Sequence, residues 1–154
     1  MRITVNRIQN DENGKRIVFF SSQAGDGIGE WKDTKYQLRT GDSYDIEFTI
    51  SEQLRIDVNL RRSQHREYII RAVSGSIEFA GVVESVDEDG VFYFRLGRDC
   101  LVLLGPVLNG NVASGDWIEV MVPIKAVEIY PYDHCNNAQP AAGALRHRNG
   151  EAQR

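Results

Sequence analysis

The sequence predicts an all-β domain, a small barrel or sandwich of about eight to ten short antiparallel strands. Three observations predict it. Apolar and polar residues alternate at period two in "SYDIEFTI", "VFYFRL" and "GDWIEVMVPI". Turn signals built from Gly, Asp, Asn or Ser recur roughly every 8–12 residues. No stretch carries a sustained helical period, and the segment that best admits a short helix is the polar "RRSQHREYIIRAV", residues 61–73.

"RITVNRI" sets Ile3, Val5 and then Arg7 at alternate positions, and "RIVFFSS" (16–22) is a β-branched and aromatic run. "SSQAGDGIGEWKD" (21–33) reads as a glycine-rich loop. "SYDIEFTI" places Ile46, Phe48 and Ile50 on one face and Asp45, Glu47 and Thr49 on the other. "LRIDVNLR" does the same with Leu54, Ile56, Val58 and Leu60 against Arg55, Asp57, Asn59 and Arg61, so the short "SEQ" between them reads as a hairpin. "YIIRAV" leads into "GSIEFAGVVESV", and "DEDG" (87–90) makes a hairpin turn before "VFYFRL". In that strand Phe92, Phe94 and Leu96 face inward and Tyr93 outward. "CLVLLGPV", "GDWIEVMVPI" and "AVEIYPY" complete the domain, with Ile118, Val120 and Val122 as an inward set. Pro123 lacks an N–H and implies an edge or a bulge. The echo of "GDSYDIEFTI" in "GDWIEVMVPI" is either a duplication or repeated Gly-Asp turn chemistry.

Charge divides the chain. Residues 1–132 hold 15 Lys and Arg against 20 Asp and Glu, a net of −5, and form a single β domain. Residues 133–154 carry three arginines against Asp133 and Glu151, with Leu145 as the only large aliphatic and no aromatic. Such a segment buries too little to offset its ordering entropy and is expected to be a mobile tail. No apolar run reaches the roughly 20 residues of a membrane span, and "MRITVNRIQND" alternates like a strand rather than a signal peptide, so the expectation is a cytoplasmic protein. In that compartment Cys100, inside "RDCLVLL", reads as a small buried hydrophobe rather than half of a disulfide with Cys135.

Motifs for chemistry are absent. "AGDGIGE" has G-x-G-x-G spacing and no amphipathic helix after it, so it is not a dinucleotide loop. "DEDG" fails the calcium-loop spacing at its fifth position, Val91. His65, His134 and His147 are isolated, and the His134-Cys135 pair has no second pair to complete a zinc site. No nucleophile elbow or Cys/His arrangement is legible. The expectation is therefore no catalytic set, no metal and no cofactor.

Two features invite a partner. "RIDVNLRRSQHREYIIR" (55–71) holds five arginines against two acids. Arg55, Arg61, Arg62 and Arg66, with Tyr93, are candidates for gripping single-stranded nucleic acid. Equally, the same arginines pair with neighbouring acid rows. The closing stretch offers Trp117, Glu119, Glu128, Tyr130 and Tyr132 as an acidic and aromatic wall for a basic protein.

The segment from "GSIEFAGVVESVDEDGVFYFRLG" to "GDWIEVMVP" is similar to the strand-turn-strand pattern of OB-like small barrels, which implies single-stranded nucleic-acid binding. The whole acidic chain, with "EIYPYD" at its close, resembles the small proteins bacteria encode beside toxins, including immunity proteins of contact-dependent growth inhibition systems. That resemblance implies a non-enzymatic inhibitor with a protein partner. A nucleic-acid binder normally shows a basic footprint, so the acidic net charge favours the protein-binding expectation. A small ligand-binding barrel is the third. Deleting residues 136–154 is expected to move the melting temperature by no more than about 2 °C in a thermal unfolding scan; a fall of about 10 °C would mean a docked element.

Overall fold

The computed structural model describes residues 1–35 and 37–132. Among these, eleven strands join in one continuous sheet, with a single 3-10 turn and no helix long and apolar enough to cross a membrane. The strands are β1 (Arg2–Asn10), β2 (Arg16–Ser22), β3 (Gly25–Trp31), β4 (Ser43–Ile50), β5 (Leu60–Arg62), β6 (Ile69–Val73), β7 (Ser76–Val86), β8 (Phe92–Gly97), β9 (Cys100–Leu104), β10 (Trp117–Pro123) and β11 (Val127–Pro131). The expected tail, Cys135 and Tyr36 lie outside the described residues.

Five strands close a ring in the order β1, β2, β3, β11, β4 and back to β1. All its joints are antiparallel except β3–β11, which is parallel and pairs Glu30 with Glu128 and Trp31 with Ile129. The remaining strands extend outward from β3. β6 joins it in parallel at Gly25 and Ile70, and the sheet continues through β7 and β10 to β5. The far half of β7 pairs β8, and β8 pairs β9. Residues 75–123, the segment expected to resemble OB-like barrels, therefore supply β7, β8, β9 and β10 of the outer strands, and none of the ring.

One apolar core serves both parts. Phe48 on β4 stands between Phe20 on β2 and Phe79 on β7, with ring centroids 5.7 and 5.9 Å away. The inward sets Ile46, Phe48 and Ile50, Phe92, Phe94 and Leu96, and Ile118, Val120 and Val122 are all buried. Each such side chain contributes about 1.5–3 kcal/mol on burial. The "DEDG" turn forms as expected: Asp87 Oδ1 accepts from the N–H groups of Asp89 and Val91, and Gly90 takes φ +82°. Pro123 ends β10 opposite Ser76, beyond the reach of β5, which pairs only with residues 118–120.

Five expectations are corrected. The glycine-rich 21–33 segment is mostly strand β3, because its glycines are clearance for packing rather than flexibility. A Cβ on Gly25 (φ +126°) would lie 2.2 Å from the carbonyl oxygen of Ile70, and one on Gly27 would lie 2.4 Å from Phe20 Cζ. Residues 54–61 do not pair with β4. Asp57 adopts φ +61°, and Asn59 accepts from the Arg55 N–H and donates to the Gln53 carbonyl, so the chain turns at Asp57–Asn59 and leaves Val58 74% exposed. Local Asx hydrogen bonding overrides the alternation there. Residues 61–73 form no helix; they are β5, a loop and β6, each held by cross-strand pairing. A bulge between Val5 and Arg7 breaks the phase of β1, so Arg7 turns outward, its guanidinium 4.4 Å over the Phe19 ring. The sheet is also not wholly antiparallel, since β3 pairs in parallel with both β11 and β6.

The Gly27→Ala substitution is expected to cost about 1–3 kcal/mol by overpacking, read as a lowered midpoint in denaturant unfolding. Adding Phe20→Leu should recover part of that loss. Strictly additive costs would mean Gly27 does not make room for the Phe20 ring.

Candidate functional site

Alternation along β11 sends Val127 and Ile129 inward and Glu128 and Tyr130 outward. Register places Glu128 opposite Thr49 of β4 and Glu30 of β3, and Tyr130 opposite Glu47. Beyond the strand, the Tyr132 N–H donates to the Asp45 carbonyl at 2.7 Å and keeps the chain beside β4. Four carboxylates and two tyrosines thus share the outer face of β3, β11 and β4.

The four acids are held in different ways. Glu30 pairs with Lys15 at 3.7 Å and Lys32 at 3.2 Å, and Asp45 with Arg2 at 3.3 Å. Glu128 instead accepts a 2.7 Å hydrogen bond from the Tyr130 hydroxyl, and Glu47 accepts one from Tyr132. Neither Glu47 nor Glu128 forms an ion pair among the described residues. Both phenols ionise above the ordinary tyrosine value, first because the neutral hydroxyl donates to a carboxylate, with the nearby negative charge and partial burial adding to it. The Lys32 ammonium is raised in turn by its hydrogen bond to Glu30. The tyrosines are 38% and 49% exposed, so their rings are offered to solvent.

A second face lies on the outside of β5, β10, β7 and β6. Here arginines pair with acids that are buried or half-buried. Arg61 Nε donates to Glu119 at 2.6 Å and Arg71 Nη2 to Glu78 at 2.6 Å, while on the opposite side of β5 Arg62 lies 3.9 Å from Asp116. The carboxylate partners are 15%, 5% and 21% exposed. Glu119 also accepts from the Ser63 hydroxyl at 3.2 Å. The Arg71 guanidinium is raised by its hydrogen bond to Glu78. Trp117 packs on Tyr68, ring centroids 5.3 Å apart.

The structure therefore divides the expected partner-binding wall. It brings Glu128, Tyr130 and Tyr132 together on the ring, and puts Trp117 and Glu119 on the outer strands, because β10 and β11 share no pairing. Arg61 and Arg62 sit on β5, while Arg55 and Arg66 are exposed nearby with no ion pair to a described residue. Tyr93 stands apart on β8, opposite Leu103 of β9. Sequence reasoning missed Glu47 and Glu30 as neighbours of Glu128; the alternation of β4 marked Glu47 as outward, but its strand partner was not readable. Cys100 is buried, and burial pushes its thiol up to about 11, which keeps it protonated and unreactive.

Compared with protein-family models, curated proteins and solved structures, the chain matches none.

Because the Tyr130 phenol is raised, folding favours its protonated form. The stability it lends is whole below the ordinary tyrosine range near 10 and is lost as pH rises through the raised value. In an absorbance titration of tyrosinate, Glu128→Leu is expected to bring one phenol back toward the ordinary value. A curve unchanged by that substitution would contradict the Tyr130–Glu128 bond.

Proposed function

We propose that this chain is a non-enzymatic protein-binding module that receives a basic surface of another protein on the outer face of β3, β11 and β4. The observation that carries the reading is the pairing of Glu47 and Glu128 with tyrosine hydroxyls instead of cations. Each carboxylate is held in place yet keeps its charge available to an incoming lysine or arginine. Exposed tyrosines beside fixed acids supply large contact area at low conformational-entropy cost. The net charge of −4 favours encounter with a basic protein over any polyanion. In the inhibitor reading implied by the resemblance to immunity proteins, that partner is a basic toxin such as a nuclease.

A nucleic-acid role finds less support, because three of the five arginines of residues 55–71 already cover carboxylates.

The test is capture from a lysate of the native host, with and without nuclease treatment, by three forms of the tagged protein whose folding is checked by circular dichroism. These are the wild type, a Glu47→Lys/Glu128→Lys variant and an Arg61→Ala/Arg62→Ala variant. The expected outcome is a basic protein that survives nuclease treatment, is retained by the arginine variant and is lost by the acid variant. Its association rate should fall as salt rises. Captured nucleic acid, lost only by the arginine variant, would overturn the proposal in favour of single-stranded nucleic-acid binding.

A further inference from the structure

Two described turns carry the dipeptide Asn-Gly, Asn13–Gly14 and Asn109–Gly110; a third, Asn149–Gly150, lies outside the described residues. Asn-Gly is a reactive pair. The main-chain nitrogen of the glycine attacks the asparagine Cγ, since glycine has no Cβ to hinder the approach and admits the dihedral angles that ring closure requires. How fast this happens depends on what holds that nitrogen. In the first turn it is tied down. The Gly14 N–H donates to the Asp11 carbonyl at 3.0 Å, and the Asp11 N–H donates to the Lys15 carbonyl at 2.9 Å. Asp11 Oδ1 accepts from the N–H groups of Asn13 at 2.8 Å and Lys15 at 2.9 Å. The turn must open before the Gly14 nitrogen reaches Asn13 Cγ.

Asn109–Gly110 is held on one side only. The Leu108 N–H donates to the Leu54 carbonyl at 2.9 Å, and the Leu108 carbonyl accepts from the Ile56 N–H at 3.1 Å. Immediately after it, the N–H groups of Asn109 and Gly110 find no acceptor among the described residues. Asn109 takes φ +62°, and both residues are exposed, so water and base reach the pair.

We infer that Asn109–Gly110 is a site of spontaneous covalent modification in the folded chain, and that the bonded Asn13–Gly14 turn is protected from the same reaction. A solvent base takes the Gly110 N–H proton, and the nitrogen forms a bond to Asn109 Cγ. The Cγ–Nδ2 bond breaks, and the departing nitrogen takes protons from solvent and leaves as ammonia. The product is a five-membered cyclic imide. Water then adds to one of its two carbonyl carbons and the ring opens. Breaking the bond from nitrogen to Cγ gives aspartate; breaking the bond from nitrogen to the main-chain carbonyl carbon gives isoaspartate. Nothing is oxidised or reduced. Either product adds a negative charge to the loop that runs alongside Arg55 and Ile56, since Leu108 is bridged to Arg55 and a Cβ on Gly110 would lie 2.7 Å from Ile56 Cγ1. Isoaspartate also lengthens the main chain by one carbon directly after Leu108, which loosens the bonds that hold it to Leu54 and Ile56. This goes beyond the face of β3, β11 and β4 and stands on separate residues.

In the test, the full chain is incubated in mildly alkaline buffer and each Asn-Gly is followed by peptide mass spectrometry, which reads the replacement of NH2 by OH as a gain of about 1 Da. The expected result is conversion at Asn109 at least about fivefold faster than at Asn13. Amide exchange at Ile56 should be faster in aged than in fresh protein. In guanidinium chloride, where both turns are lost, the two rates should converge. Asp11→Ala removes the carboxylate that holds the first turn and should speed conversion at Asn13 alone. Asn109→Gln, whose longer side chain closes the ring poorly, should abolish the change at Ile56. Equal rates at the two sites in the folded chain, faster conversion at Asn13, or no conversion at Asn109 would each overturn the inference.

Discussion

The close approach of β6 to β3 at Gly25 is the constraint on which the rest of the structure depends. β3 has three neighbours: β2 and β11 inside the ring, and β6 leading out of it. The Ile70 carbonyl occupies the space where any other residue at position 25 would carry a Cβ. Gly27 then lets the Phe20 ring and the Ile70 side chain cross the strand, and Phe48 carries the packing on to Phe79. Ring and outer strands consequently share one core.

That sharing decides which surfaces remain for recognition. On the outer sheet, β5, β10, β7 and β6 lie side by side, and their outward residues fall into arginine–carboxylate rows in which the acids sink and the arginines lie over them. A charge covered in this way is largely neutralised before any partner arrives. On the ring, Glu128 of β11 stands opposite Thr49 and Glu47 of β4 opposite Tyr130, and these two acids have hydroxyls for partners and no ion pair among the described residues. The same residue type thus does different work on the two faces, and the cause is strand order rather than local sequence.

The alternating strands were readable because one face of each is buried and a period of two leaves only one register that buries it. Ile46, Phe48 and Ile50, Ile118, Val120 and Val122, and the inward Phe92, Phe94 and Leu96 all follow from that rule. The misreadings have physical causes too. "AGDGIGE" lacks side chains not because the chain must flex there but because other side chains fill the space. "LRIDVNLR" has strand periodicity, yet the Asn59 side chain bonds the Arg55 N–H and the Gln53 carbonyl and Asp57 takes φ +61°, so the chain turns there. "RRSQHREYIIRAV" joins two short strands whose partners are distant in sequence.

By itself the sequence determined the strand faces, the turns at Gly-Asp and "DEDG", and the acidic balance of residues 1–132, because each depends on neighbouring residues or on counting. It also marked Glu128, Tyr130 and Tyr132 as outward and Arg61 and Arg62 as a basic run. Only the tertiary structure decided which of these meet. Pairing brought Glu47 from more than eighty positions upstream to Tyr132, put Arg61 over Glu119, and separated Trp117 from Tyr130. Those outcomes depend on which strands lie side by side, and the two parallel joints of β3 that set the order are fixed by packing between distant segments, which no local pattern encodes.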